Sequence, residues 1–118
     1  MSIRRLSIVA FPESRLQCTA RCLEYDLSAT GRTIELAVDA LTKMIRAHID
    51  YDRRHDREPL SAFTSAPRPY WEAFRRGTRQ WVVEEPSWFR NNTPTQIDVA
   101  VVPQHPAIRP SPRTTRIA

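Results

Sequence analysis

Apolar and polar residues alternate along parts of this chain and recur with helical spacing along others. The first pattern covers Ile3 to Phe11, a run of β-formers that ends at the turn signal Pro12-Glu13-Ser14. Leu16 to Leu23 then alternates: Leu16, Cys18, Ala20 and Cys22 share one face, and Gln17, Thr19 and Arg21 the other. Two strands around a short polar turn predict an antiparallel hairpin with one buried face. Leu27 to Thr30 fits a brief third strand before Gly31.

The period then changes. Ile34, Val38, Leu41, Ile45 and Ile49 fall on one face of a helix running from Thr33 to about His55, with Ala37 and His48 at its flanks. Thr33 is placed to cap it, Glu35 suits the positive end of its dipole, and Pro59 forbids its continuation. Asp39–Lys43 and Asp50–Arg54 are i,i+4 pairs, each worth a few tenths of a kcal/mol, so burial of the apolar stripe decides stability.

An insertion-like stretch at 60–80 follows. In it Pro69 opens a short helix whose aromatic face is Tyr70, Trp71 and Phe74, with Arg75-Arg76-Gly77 as the stop signal. Two turns do not hold themselves in water, so those aromatics must dock, on their own domain or on a partner. Trp81 to Val83 fits a short strand, Pro86 to Pro94 a loop that carries Trp88 and Phe89, and Gln96 to Val102 a final alternating strand. Residues 103–118 hold little to bury and predict an extended tail. The outcome is an α+β domain over residues 1–102: a small antiparallel sheet of three to four strands, order β-β-(β)-α-α-β, with one main helix on a face.

Composition changes this picture little. The chain has 118 residues and a net charge of +5, but residues 103–118 supply three of those charges through Arg109, Arg113 and Arg116. Residues 1–102 are nearly balanced, so the basic pI is weak evidence for nucleic acid. No apolar run is long enough to span a membrane or act as a secretory signal, which predicts a cytoplasmic protein. Cys18 and Cys22 on one strand would lie about 13 Å apart, too far for a disulfide, and read as small buried hydrophobes.

Candidate chemistry is sparse. His48, Asp52 and His55 have spacing that can converge on a metal, and Cys18 and Cys22 with His48 form a second set, but a charged helix end and core packing explain both. Glu24 and Asp26 lie at a strand end where acid–base carboxylates are often placed, though solvated turn residues have the same pattern. With Asp39 they would be the Mg²⁺-binding carboxylates of a nuclease. No nucleophile elbow, phosphate-cradling loop or HExxH motif is present, so catalytic residues, cofactors and metals are assigned as none.

The stretch "TARCLEYDLSATGRTIELA" resembles the N-terminal domain of the HicB antitoxin family, with Gly31 at the family glycine, Thr33 at the helix cap and Ala37 at the small inward residue. The resemblance covers residues 3–55 and, loosely, 95–102. It implies a reduced ribonuclease-H-like sheet without catalytic function, in a bacterial toxin–antitoxin setting. It also implies a role in binding a small mRNA-cleaving toxin, often as an oligomer. The usual C-terminal DNA-binding module is missing from this chain, so the expectation is a stand-alone module working through protein contacts. Tyr70, Trp71, Phe74, Trp88 and Phe89 would be its anchors, and Arg109, Arg113 and Arg116 would complete a clamp. The alternative is nucleic-acid binding through that tail and Arg75, Arg76 and Arg79.

Overall fold

The computed structural model describes residues 5–84 and 96–106, with side chains for all of these except 80–84. It contains β1 (Arg5–Ser14), β2 (Gln17–Cys22), β3 (Leu27–Gly31), α1 (Ile34–Arg54), α2 (Arg68–Arg76), β4 (Thr78–Glu84) and β5 (Gln96–Val101). The α+β class is as expected, but the sheet has five strands in the order β3-β2-β1-β5-β4. It is mixed rather than antiparallel, because β1 and β5 run parallel, with Ile8 opposite Val99. The remaining pairs are antiparallel. Trp81 to Val83 belongs to a full edge strand, β4.

The second correction concerns the faces. The hairpin was expected to bury one side, yet β1 is buried on both from Leu6 to Phe11. Leu6, Ile8, Ala10, Ala20, Cys22, Leu27, Ile97 and Val99 face α1, which lays Ala37, Val38, Leu41, Ile45 and Ile49 on them. Val9, Phe11, Ala100 and Val102 face the other way and are covered by Tyr70, Ala73 and Phe74 of α2. Each fully buried aliphatic side chain contributes roughly 1.5–3 kcal/mol, so the second core is a sizeable part of the fold. A strand covered by helices on both sides reads as a nearly continuous apolar run, and Leu6 to Phe11 is one, interrupted by Ser7.

The hairpin turn falls at Arg15 and Leu16 instead of residues 12–14, with a register irregularity between Pro12 and Ser14. Leu16, expected on the buried face, is therefore 81% exposed. Thr19, expected on the polar face, is buried under α2's side of the sheet and donates to Glu13 Oε1 at 2.8 Å.

Helix α1 starts and stops where its sequence signals lie. Thr33 has extended backbone angles and its Oγ1 accepts from Leu36 N at 3.1 Å. Lys43 pairs with Asp39 at 3.0 Å, and Asp50 pairs with Arg46 at 3.8 Å, one turn before the expected Arg54. Gly31 has no unusual φ. It is small because a Cβ there would lie 2.6 Å from Ala37 N and 2.8 Å from Leu36 C, so β3 and the first turn of α1 touch through it. Ala37 is fully buried at this contact.

Helix α2 is nine residues with Pro69 in its first turn. Its preceding segment is pinned by Ala66 N donating to Leu23 O at 2.8 Å and Trp71 Nε1 donating to Ser65 Oγ at 2.9 Å. Gly77 ends the helix against β5, where a Cβ would meet Val102 Cγ1 at 2.9 Å and Val101 O at 3.0 Å. Among the described residues, no helix is long and apolar enough to cross a membrane.

Candidate functional site

The parallel pair β1–β5 brings the carboxyl ends of two strands together, the position where open sheets with crossover helices commonly leave a crevice. Beyond the end of β5 the chain crosses back over β1. Val102 N donates to Ala10 O at 3.0 Å, and the His105 ring packs 4.9 Å from Phe11 and 5.9 Å from Tyr70. His105 Nε2 lies 3.7 Å from Glu13 Oε2, the carboxylate whose other oxygen accepts from Thr19.

Two depressions open on either side of this crossing strap. One, of about 430 Å³, is lined by Ala73, Arg76, Gly77 and Thr78 on one wall and by residues 101–106 on the other. The second, of about 370 Å³, continues past Thr78 and Val101 to Pro12, Cys18 and Ile34. Val101, Val102 and Pro103 form the wall that both share. The floor is largely aliphatic. Arg75, Arg76 and Arg79 are exposed at the nearby α2–β4 junction, and the Arg79 guanidinium sits 5.2 Å from the Phe74 ring centre.

The predicted anchors separate in space. Tyr70 and Phe74 are each 7% exposed and spend their surface on the sheet of their own domain, leaving Trp71 half-buried at the edge of that core. Arg21 stacks over Tyr70 at 4.2 Å and bonds Asp26, while its buried Nε has no hydrogen-bond partner. Trp88, Phe89, Arg109, Arg113 and Arg116 lie outside the described residues.

The carboxylates considered for chemistry hold structure together. Glu24 continues the hairpin ladder with its side chain: Oε1 accepts from Ser7 N and Oε2 from Ser7 Oγ, both at 2.8 Å. Asp26 takes the left-handed turn conformation at φ 53°, which Asp tolerates better than most residues. Asp39 is on the exposed side of α1 with Lys43. Asp52 is buried, and its Oδ2 accepts from Leu60 N at 2.7 Å. His48 turns edge-on to Phe63, and His55 stacks on Tyr51 with Nδ1 2.8 Å from Tyr51 O. Among the described residues, no three His, Cys, Asp or Glu side chains are placed to hold a metal ion.

Asp98, which the sequence reading passed over, is 2% exposed on β5, with Gln96 Nε2 at 2.9 Å and the Arg5 guanidinium at 3.8 Å. Both cysteines are free thiols. Burial, reinforced by the charge of Glu24, pushes the Cys22 thiol up to about 12, and burial also raises the Tyr25 phenol.

Sequence reasoning missed Glu13, Thr78, Gln104 and His105. Glu13, Thr78 and the Gln104-His105 pair stand far apart along the chain, and none belongs to a binding or catalytic motif. The parallel pairing of β1 with β5 and the antiparallel pairing of Thr78 with Val101 assemble them, and no local pattern announces a parallel pair. No protein-family model, curated protein or solved structure matches this chain significantly.

Proposed function

We propose that this chain is a non-catalytic protein-binding module, HicB-like in type, acting as an antitoxin or as an accessory subunit of a larger complex. The observation that carries the reading is the carboxyl end of the sheet. There two adjoining depressions share an aliphatic wall, Val101, Val102 and Pro103, at the edge of both cores; Arg76 lines one of them, with Arg75 and Arg79 exposed nearby. An apolar centre with a polar fringe is the usual anatomy of a protein contact. The use of Glu24 and Asp52 as backbone acceptors supports a structural reading of the carboxylates over a chemical one.

The test is affinity capture from a lysate of the source cells, with the whole chain as bait and Thr78→Trp as the matched control. A stoichiometric partner retained by the native chain and lost by Thr78→Trp is the expected result. Recovery of the chain alone, or equal recovery on both baits, refutes the reading.

One observation favours a second reading, nucleic-acid binding: the exposed cluster of Arg75, Arg76 and Arg79. Its signature is affinity that falls steeply with salt, and flat isotherms for RNA and DNA at low salt would dispose of it.

A further inference from the structure

We infer that the cleft between α2 and the strap after β5 takes an acidic protein segment in which a carboxylate neighbours an apolar side chain. The inference rests on the protein-binding reading above and gives that partner a chemistry. Val101, Pro103 and Pro106, with the buried Ala73 and Val102 behind them, offer a floor for an apolar side chain in about 430 Å³, enough for one or two residues.

Among the described residues, the permanently charged side chain that lines the cleft is cationic. Arg76 lines the cleft itself, and Arg75 and Arg79 stand exposed beside it. Among the described residues, two nearby carboxylates are already engaged: Glu13 faces Thr19 and His105, and Glu72, one turn before Arg76 on α2, pairs with Arg68. A guanidinium rim matches carboxylates through forked hydrogen bonds, and complementary charge steers and selects the partner.

The same arginines would attract a nucleic-acid backbone, but single-stranded nucleic acid also needs open aromatic faces on which bases stack. Among the described residues near this cleft, Phe11, Tyr70 and Phe74 are buried in the second core, the Arg21 guanidinium covers the Tyr70 face, and the His105 ring packs on Phe11. An apolar floor beside a cationic rim therefore favours a peptide.

The experiment pans a phage-displayed library of random twelve-residue peptides on the immobilised whole chain. Enriched peptides are then measured by fluorescence anisotropy on the native chain, Arg76→Glu and Lys43→Glu. Arg76 and Lys43 are both exposed, and heat unfolding checks that each variant is folded.

The expected outcome is enrichment of Asp or Glu beside aliphatic or aromatic residues. Affinity should fall at least tenfold on Arg76→Glu and stay unchanged on Lys43→Glu, which alters the charge on α1 instead. Enrichment without excess acid, equal affinity for Arg76→Glu, or tighter binding of a twelve-nucleotide oligouridylate than of any peptide overturns the inference. So does a library that yields nothing. In that last case a captured partner sensitive to Thr78→Trp leaves the protein-binding reading standing, and its absence removes both.

Discussion

Replacing Asp52 with Ala removes one acceptor from the interior without touching the apolar stripe of α1. Asp52 is 8% exposed, and its Oδ2 receives the Leu60 amide at 2.7 Å. Leu60 sits at φ 62°, a left-handed conformation that costs a branched side chain about 1–2 kcal/mol, and its side chain is fully buried against the α1 core. The hydrogen bond therefore holds a residue in a conformation it would otherwise leave.

A hydrogen bond to a charged group is worth about 1.5–3 kcal/mol. Removing a carboxylate near the negative end of α1 returns about 0.3–1 kcal/mol. The net loss for Asp52→Ala is about 2 kcal/mol, or about 8 °C in melting temperature for a domain of this size. Asp52→Asn keeps a neutral acceptor and should lose about half as much. Urea unfolding followed by tryptophan fluorescence gives the free energies, and heat scans give the shift. A loss below about 0.5 kcal/mol for Asp52→Ala, or equal losses for Ala and Asn, would show that the Leu60 amide does not depend on this carboxylate. Zinc added to the native chain should leave the melting temperature unchanged, because His48 and His55 are turned to Phe63 and Tyr51.

Two further outcomes follow from the packing. Gly31→Ala forces a methyl group to within 2.6 Å of Ala37 N and should destabilise by about 1–2 kcal/mol in urea, after the gain from stiffening the unfolded chain; a neutral or stabilising effect would mean that β3 and α1 do not touch there. With the folded Cys22 thiol pushed up to about 12, the unfolded chain releases this proton first as pH rises through 9. Stability is then fully present below pH 9 and declines above it by about 1.4 kcal/mol per pH unit, and Cys22→Ala should flatten that decline. An unchanged alkaline slope in the variant would contradict the burial.

Features written locally were legible in the sequence. The Thr33 cap, the α1 stripe and the Pro69-to-Gly77 helix each depend on residues within one or two turns, and each stands where its signal lies. Features that depend on distant chain were not legible. Leu6 to Phe11 carries apolar residues on both faces, which is the mark of a strand covered twice, but a short apolar run does not say what covers it. Leu16 continues the alternation of β2 yet belongs to the turn, because the hairpin closes two residues later than Pro12 suggests. The site was hidden for the same reason. His105 and Glu13 meet through the strap that follows β5, and that meeting is set by sheet order, not by spacing in the sequence.

The parallel pairing of β1 with β5 also bears on how the chain folds. Its partners, such as Ile8 and Val99, lie about 90 positions apart, so the central strand waits for the last strand before its second edge is satisfied. The hairpin, β3 and α1 begin one core layer from contacts within the first half of the sequence, and Ile97 and Val99 of β5 complete it. Until residue 101 has been synthesised, β1 carries an open apolar edge, and a growing chain at that stage is a natural client for a holding chaperone.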